Sequence, residues 1–259
     1  METVSHDGRE TAYRLAGDGD ARVLYVHGSG ATHRVWAPQY GPDGPARPAA
    51  ALDLSGHGAS GEVDTDPGAE TLDAYARDVT AVARATRAEV LVGSSLGGAV
   101  CLAVTLAARF DPSALVLAGT GATLPVRADL RRVLASDFER AVAFLHREDR
   151  LFHDADDRTV ERSKATLRAT GQAVTRRDFL TADRFDVRDR LDAVSAPTLA
   201  IVGEHDGLTP PAAHEYLADR LPDCTYAEVP GAAHLAMVEQ PARFTRQVRG
   251  FLDRCTGRL

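Results

Sequence analysis

The stretch Gly93-Ser94-Ser95-Leu96-Gly97-Gly98 follows an apolar run, 90–92, and precedes a helix-like segment, 99–109. It contains the pattern G-x-S-x-G with Ser95 at its centre. A serine in a sharp turn from strand to helix has a strained backbone, so its hydroxyl points outward beside N–H groups at a helix N-terminus. Glycine fits at 93 and 97, where the arms of such a turn crowd together. The pattern predicts either a nucleophile or a small-residue turn that packs a helix closely on a sheet.

Short apolar runs that fit buried strands recur on both sides of this stretch and alternate with helix-like segments. The runs are 23–26, 49–54, 90–92, 114–118, 197–203 and 225–229, and a hairpin, 3–5 with 11–15, precedes them. Alternation of strand and helix implies right-handed crossovers and a parallel sheet with helices on both faces. We therefore predict an α/β fold with a mostly parallel, doubly wound sheet of about eight strands and an N-terminal antiparallel hairpin.

Residues 121–191 interrupt this alternation with four helix-like stretches rich in Arg, Asp and Glu. The strand pattern resumes afterwards, which favours an insertion over a separate helical domain. We predict a core formed by 1–120 and 192–259, and an inserted helical cap formed by 121–191. We expect the cap to govern selectivity, with His33 and Trp36 near the mouth of the pocket.

The overall composition favours a small-molecule partner. Thirty basic against 37 acidic residues give a net charge of -7, which argues against a nucleic-acid-binding surface. No apolar run approaches the length of about 18 residues that spans a bilayer. The three cysteines lack the spacing of a disulfide framework, which favours a reducing, cytoplasmic location. The sequence leaves a homodimer open.

A serine hydroxyl is a poor nucleophile at neutral pH and needs a histidine base. His234 lies in the loop after the last predicted strand, on the same rim of the sheet as Ser95. His27 and His57 share that rim, but they precede the serine and resemble histidines that stabilise turns. We expect the other six histidines to be solvated, to pack against neighbours or to belong to turns: His6, His33, His146, His153, His205 and His214.

A third group must hold the base in the correct tautomer, and it should end a strand between serine and histidine. Asp206 does so, because it follows the run 197–203. Glu204 competes from two residues earlier. Asp53 competes from an earlier strand end, where we expect it to bond backbone N–H groups of its own loop.

The oxyanion that develops in acyl transfer needs N–H donors about 3 Å away. Leu96 can supply one from the helix N-terminus. Ser29, at the end of an earlier strand, is well placed to supply the second, since Gly28 and Gly30 would let that backbone approach a ligand.

Together these motifs resemble the α/β-hydrolase superfamily over essentially the full chain. The matching segments are 27–30, 53–60, 93–98, 202–210, 231–234 and 239–241. The resemblance implies that Ser95 is the nucleophile, Asp206 the acid and His234 the base, with the amides of Ser29 and Leu96 as the oxyanion hole. We expect no cofactor and no metal. Ser55 and Ala233 depart from the pattern, where relatives usually have proline and often have glycine, respectively.

Relatives with dehalogenase or epoxide hydrolase activity carry aspartate where this chain has Ser95, so those activities are not expected. Serine fits hydrolysis of a carboxylic ester, thioester or lactone through an acyl-enzyme, and we predict a carboxylesterase-like serine hydrolase. One alternative is a carbon-carbon bond hydrolase. Another is a lyase similar to the menaquinone-pathway synthase, whose cationic pocket would draw on Arg127, Arg131, Arg132 and Arg184. A third is a receptor-like binding module with weak turnover.

Overall fold

One eight-stranded sheet forms the centre of the chain in a computed structural model, which describes residues 1–19, 22–41, 44 and 48–256. The strands are β1 (Glu2–His6), β2 (Arg9–Ala16), β3 (Val23–Val26), β4 (Ala49–Leu52), β5 (Val90–Ser94), β6 (Ala114–Ala118), β7 (Thr198–Gly203) and β8 (Cys224–Val229). Their order is β1-β2-β4-β3-β5-β6-β7-β8. The β1/β2 and β2/β4 pairs are antiparallel, and the other five pairs are parallel. The mostly parallel sheet and the N-terminal hairpin are therefore confirmed.

Helices cover both faces of this sheet, as a doubly wound fold requires. One face packs against α2 (Ala69–Thr86), α3 (Leu96–Leu106) and α8 (Pro211–Arg220). The opposite face packs against α1 (Ala37–Tyr40), α9 (Ala236–Glu239) and α10 (Pro241–Thr256). Successive strand side chains point to opposite faces, and every residue of β3, β5 and β6 is buried, so these central strands are largely apolar on both sides.

The segment between β6 and β7 holds four α-helices, as predicted. They are α4 (Ala128–Ser136), α5 (Phe138–Leu145), α6 (Asp157–Thr170) and α7 (Gln172–Asp183), followed by a 3₁₀ helix, Arg188–Ala193. We call residues 121–191 the helical insertion. It has an apolar cluster of its own, separate from the two clusters on the sheet and centred on Leu130, Leu134, Val142, Leu145 and Leu167.

The register of the parallel strands brings their carboxyl ends to one edge of the sheet. Val26 of β3 pairs with Gly93 of β5, and Ser94 of β5 pairs with Ala118 of β6. Ala118 in turn pairs with Ile201 of β7. The loops that follow these strands therefore meet at this edge, where ligands bind in open α/β sheets. Within the described ranges, no helix is both long enough and apolar enough to cross a bilayer.

Candidate active site

Ser95 occupies a strained turn between β5 and α3. Its φ of 54° and ψ of -121° lie in a region that L-residues rarely adopt and that costs about 1–3 kcal/mol. A Cβ on Gly93 would collide with the carbonyl oxygen of Gly97, so glycine is required at 93, as predicted. The Ser95 N–H donates to Ala118 O at 2.9 Å, and Thr120 Oγ1 donates to Ser95 O at 2.8 Å. These bonds to the end of β6 hold the turn in place.

Asp206 and His234 form a buried hydrogen-bonded pair. Asp206 follows β7, His234 follows β8, and Asp206 Oδ2 lies 2.9 Å from His234 Nδ1. The other carboxylate oxygen accepts the backbone N–H groups of Leu208 at 2.9 Å and Thr209 at 2.8 Å. Burial opposes ionisation of Asp206, but His234 and these donors outweigh it and lower its pKa. An ionised Asp206 keeps the proton of His234 on Nδ1 and leaves Nε2 able to accept one.

Glu204, the competing acid, has a different role in the structure. Its Oε2 accepts the N–H of Gly231 at 3.0 Å, which ties the end of β7 to the loop that carries His234. The geometry therefore favours Asp206 over Glu204 as the partner of the histidine.

Ser95 and His234 line the same cavity, which has a volume of about 720 Å³. Both side chains lie beside the end of β6, because Ser95 bonds Ala118 and a Cβ on Gly119 would lie 3.2 Å from His234 Cε1. Among the described residues no hydrogen bond joins Ser95 Oγ to His234. Such bonds are often long until substrate binds.

The two predicted oxyanion donors belong to segments next to Ser95. Leu96 is the first residue of α3, so its N–H has no acceptor within the helix. Ser29 lines the cavity in the loop after β3. A Cβ on Gly28 would lie only 2.9 Å from Ser95 Cβ, so this loop passes directly beside the serine.

Two of the remaining histidines, His27 and His57, stabilise loops, as predicted. His27 Nδ1 donates to Gly28 O at 2.8 Å, and its Nε2 accepts the N–H of Leu54 at 3.0 Å. Burial lowers the pKa of His27 to about 4, which keeps Nε2 available as an acceptor. His57 is also buried, and its Nε2 lies 2.9 Å from Oδ2 of Asp178 in α7.

Asp53 bonds backbone N–H groups, as expected, and also reaches a neighbouring loop. It accepts the N–H of Ala59 at 3.1 Å and the N–H of His33 at 2.7 Å. His33 Nδ1 lies 2.9 Å from the same carboxylate. Asp53 thus joins the loops after β3 and β4.

The expectation that His33 and Trp36 lie near the mouth of the pocket is wrong. Trp36 is fully buried on the opposite face of the sheet, where its ring packs 5.1 Å from that of Tyr25 and 6.1 Å from that of Phe244. His33 is turned towards Asp53. Their neighbours Arg34 and Val35 line the cavity instead.

The arginines suggested for a cationic pocket are mostly engaged elsewhere. Of these four arginines, Arg127 alone lines the cavity, beside Arg34 and Arg162, and its guanidinium pairs with Asp129 at 2.9 Å. Arg131 pairs with Asp183, and Arg184 donates to the carbonyl of Pro67. The cavity lining is largely apolar, with major contributions from Leu124, Leu130, Phe144, Phe152, Leu167 and Phe179 of the helical insertion.

The sequence reasoning missed two supports of the site. Thr209 Oγ1 donates to Asp206 Oδ2 at 2.8 Å and lies 3.2 Å from His234 Nδ1. An aspartate whose side chain accepts backbone N–H groups two and three residues later forms a turn, and such a turn can be recognised in the sequence. The second support is the segment 149–151, whose carbonyls accept the N–H groups of Gly207, His234 and Leu235 at 2.9, 3.2 and 3.0 Å. This contact is tertiary and has no local sequence signal.

One cluster in the described part of the chain has metal-ligand chemistry. Ligand atoms of Asp149, His153 and His205 lie within 4.8 Å of one another. The two imidazole rings stack 3.7 Å apart with an interplanar angle of 13°. In this arrangement the lone pairs lie in nearly parallel ring planes and do not converge on one point.

Comparisons with known proteins agree with this fold. The model of the Alpha/beta hydrolase family matches residues 23–247. The chain is 28% identical to 3-oxoadipate enol-lactonase 1 of Acinetobacter baylyi, over 96% of this chain and 95% of that protein. It is 31% identical to a pimeloyl-[acyl-carrier protein] methyl ester esterase of Neisseria meningitidis, over 91% of this chain and 78% of that protein. A thermophilic esterase of known structure superposes with a TM-score of 0.86 at 29% identity, over 98% and 97% of the two chains. A match of this extent, on a chain with this sheet and this serine turn, means that the protein belongs to the alpha/beta hydrolase family.

Proposed function

We propose that this chain hydrolyses carboxylic esters or lactones, with Ser95 as nucleophile, His234 as base and Asp206 as the acid that orients the base. The observation that carries the proposal is the buried Asp206–His234 pair, joined at 2.9 Å, on the cavity that also holds the strained Ser95. An oriented histidine beside an exposed serine hydroxyl is the arrangement that acyl transfer requires.

In the proposed mechanism, Ser95 Oγ attacks the acyl carbonyl while His234 Nε2 takes its proton. The N–H groups of Ser29 and Leu96 donate to the oxyanion, where each donor contributes about 3 kcal/mol. His234 then protonates the leaving alkoxide, which leaves an acyl-enzyme on Ser95. Water, deprotonated by His234, attacks that ester; the bond from the acyl carbon to Ser95 Oγ then breaks, His234 returns the proton to Ser95 Oγ, and the acid is released.

The cavity supports a substrate with an apolar body. Its volume of about 720 Å³ is within the range of small-molecule sites, and aliphatic and aromatic side chains dominate its walls. The enol-lactonase and methyl ester esterase relatives act on a lactone and an ester, which supports the same bond class here. The pairing of Arg127 with Asp129 gives no support to the lyase alternative.

We propose further that the helical insertion is a cap that determines which substrates fit. Its separate apolar cluster supports the division into a core, 1–120 with 192–259, and a cap, 121–191. The insertion contributes Leu130, Phe144 and Phe179 to the cavity, so its side chains would contact the part of the substrate away from Ser95.

Replacing the serine tests the proposal. The S95A variant should fold as the parent does and turn over p-nitrophenyl butyrate at less than about a thousandth of the parent rate. The neighbouring S94A variant is the matched control, and we expect it to keep most of the activity. S95A activity within tenfold of the parent would rule out the assigned nucleophile.

A further inference from the structure

A fully buried carboxylate in the helical insertion has no part in the mechanism described above. Asp178 lies on α7, and its two oxygens accept three hydrogen bonds. Oδ2 accepts the N–H of Gly30 at 2.9 Å and is bonded by His57 Nε2 at 2.9 Å, while Oδ1 accepts the hydroxyl of Tyr75 at 2.6 Å. A buried charge is costly unless it is fully paired, so all three donors matter.

These donors come from three separate parts of the core. Gly30 belongs to the loop after β3, His57 to the loop after β4, and Tyr75 to α2. Burial opposes ionisation of Asp178, but the charge and hydrogen bond of His57, with the bonds from Tyr75 and Gly30, outweigh it and lower its pKa. The carboxylate therefore stays ionised and makes charge-assisted bonds, which are stronger than neutral ones.

Gly30 is held by the insertion on both sides of its backbone. Its N–H donates to Asp178, and its carbonyl accepts the hydroxyl of Thr170 in α6 at 3.0 Å. Its φ is 67°, and a Cβ there would collide with Leu167 of α6. The peptide that follows Ser29 is therefore fixed against the insertion.

The peptide that precedes Ser29 is linked to the same carboxylate. The N–H of Ser29 shares a peptide plane with the carbonyl of Gly28, which accepts a hydrogen bond from His27 Nδ1 at 2.8 Å. The His27 ring packs on that of His57, with 4.7 Å between centroids, and His57 is bonded to Asp178. Asp178 thus acts on both peptides that flank Ser29.

We propose that Asp178 is a positioning residue for the oxyanion hole: from the helical insertion, it fixes the direction in which the Ser29 N–H points. This inference rests on the proposed function, in which that N–H donates to the oxyanion. Asp178 does not line the cavity, so it acts through Gly30 and His57 and not by contact with substrate. Its loss should affect the transition state more than substrate binding, and so lower kcat more than it raises KM.

Two alanine variants in the same helix separate positioning from general support. D178A removes the acceptor of the Gly30 N–H. T181A removes the acceptor of another buried glycine N–H, that of Gly68, which Thr181 Oγ1 accepts at 3.0 Å. Both remove a buried contact between α7 and the core, but Gly68 is not beside Ser29.

With p-nitrophenyl butyrate as substrate, D178A should lower kcat about 20-fold and change KM by less than about threefold. Complete removal of an oxyanion donor lowers kcat about 10²- to 10³-fold, and a misdirected donor should cost part of that factor. D178N keeps a neutral acceptor for the N–H of Gly30, so its kcat should fall about fivefold. T181A should stay within twofold of the parent. A D178A kcat within twofold of that of T181A would overturn the proposal.

A trifluoromethyl ketone gives a readout that partial unfolding does not change. Ser95 Oγ bonds to its carbonyl carbon, the proton passes to His234, and the carbonyl electron pair becomes an oxyanion held by the same N–H groups. Its inhibition constant should weaken in D178A by about the factor lost in kcat/KM, as expected for a transition-state analogue. An unchanged inhibition constant would contradict positioning, because loss of folded protein lowers the active fraction and not the affinity.

If D178A does not fold, D178N is compared with T181A instead, by kcat and by the inhibition constant of the trifluoromethyl ketone. The S95A variant keeps the two proposals distinguishable. Activity retained in S95A would defeat the proposed function. An inactive S95A together with D178N and D178A that behave like T181A would defeat only the role of Asp178.

Discussion

The carboxylate of Asp206 is held in place by several hydrogen bonds. Its carboxylate accepts two backbone N–H groups and the Thr209 hydroxyl while it holds His234. Each bond restricts the carboxylate, so the imidazole has one preferred orientation. Glu204 directly follows β7, and its carboxylate accepts the N–H of Gly231 and lies 3.6 Å from His205 Nε2.

The two acids should therefore respond very differently to amide substitution. D206N should lower kcat about 10³- to 10⁴-fold, because an amide can stabilise the wrong histidine tautomer. E204Q keeps an acceptor for the N–H of Gly231, so its kcat should stay within about threefold of the parent value. Steady-state kinetics on p-nitrophenyl butyrate check this, and a reversed order of the two effects would show that the partner of His234 is misassigned.

His214 provides a test through pH. It is buried, and its Nε2 accepts the N–H of Thr120 at 2.9 Å. Burial lowers its pKa from 6.5 to about 4. Its contribution to stability is therefore complete above pH 6.5 and is lost as the pH falls from 6.5 towards 4, where the unfolded chain binds a proton that the folded chain does not.

Between pH 7.5 and pH 5 this residue should account for about 2 kcal/mol of lost unfolding free energy. Urea unfolding of the parent and of H214Q at both pH values measures it, since glutamine can accept the same N–H without titrating. The loss between the two pH values should be smaller in H214Q, and equal losses would contradict the assignment of a neutral His214.

At the scale of elements, the helical insertion forms much of the cavity wall while it packs on its own apolar cluster. Phe179 of α7 lines the cavity, whereas Phe138 of α5 packs against the same cluster but does not line the cavity. This pair of phenylalanines separates an effect on substrate fit from an effect on the stability of the insertion.

F179A should enlarge the cavity and favour longer acyl chains. The ratio of kcat/KM for p-nitrophenyl octanoate to that for the butyrate should rise about fivefold, which is less than the 10- to 200-fold that one methylene can carry in a tight pocket. F138A should lower stability and leave the ratio within twofold. If both variants shift the ratio equally, the wall formed by α7 does not select the acyl chain.

The elements themselves could be predicted because their signals are local. Continuous apolar runs such as β7 fit strands buried on both faces, and the crowding at Gly93 and Gly97 marks the serine turn. The strand predicted over 49–54 ends at Leu52 in the structure, and the side chain of Asp53 bonds His33 in the loop after β3 and Ala59 in its own loop. The bond to His33 joins residues 20 positions apart, and an apolar pattern does not record it.

The supports of the site were harder to predict for the same reason. Asp178 lies more than 100 residues from the donors it meets in the loops after β3 and β4. In the sequence it is one acid among many in charged helices, and only the fold shows that it is buried. Trp36 was misplaced because its side chain packs against Phe244 of α10, whereas Arg34 and Val35 of the same helical turn line the cavity.

On the scale of the whole molecule, the central claim is that the parallel sheet and the helical insertion together hold one activated serine. The sheet brings the loops after β3, β5, β6, β7 and β8 to one edge. The insertion adds the apolar wall, the carbonyls at 149–151 that bond the loops of Asp206 and His234, and the bonds to Gly30. The site should therefore react as a unit, and only at Ser95.

Covalent labelling with a fluorophosphonate tests this claim most directly. The parent protein should gain one phosphonyl adduct per chain, mapped by peptide mass spectrometry to Ser95, because the reagent requires a serine that an oriented histidine activates. S95A should gain none, and D206N should react far more slowly. No adduct on the folded parent, or an adduct on Ser29 or Ser94 of the same cavity, would contradict the account.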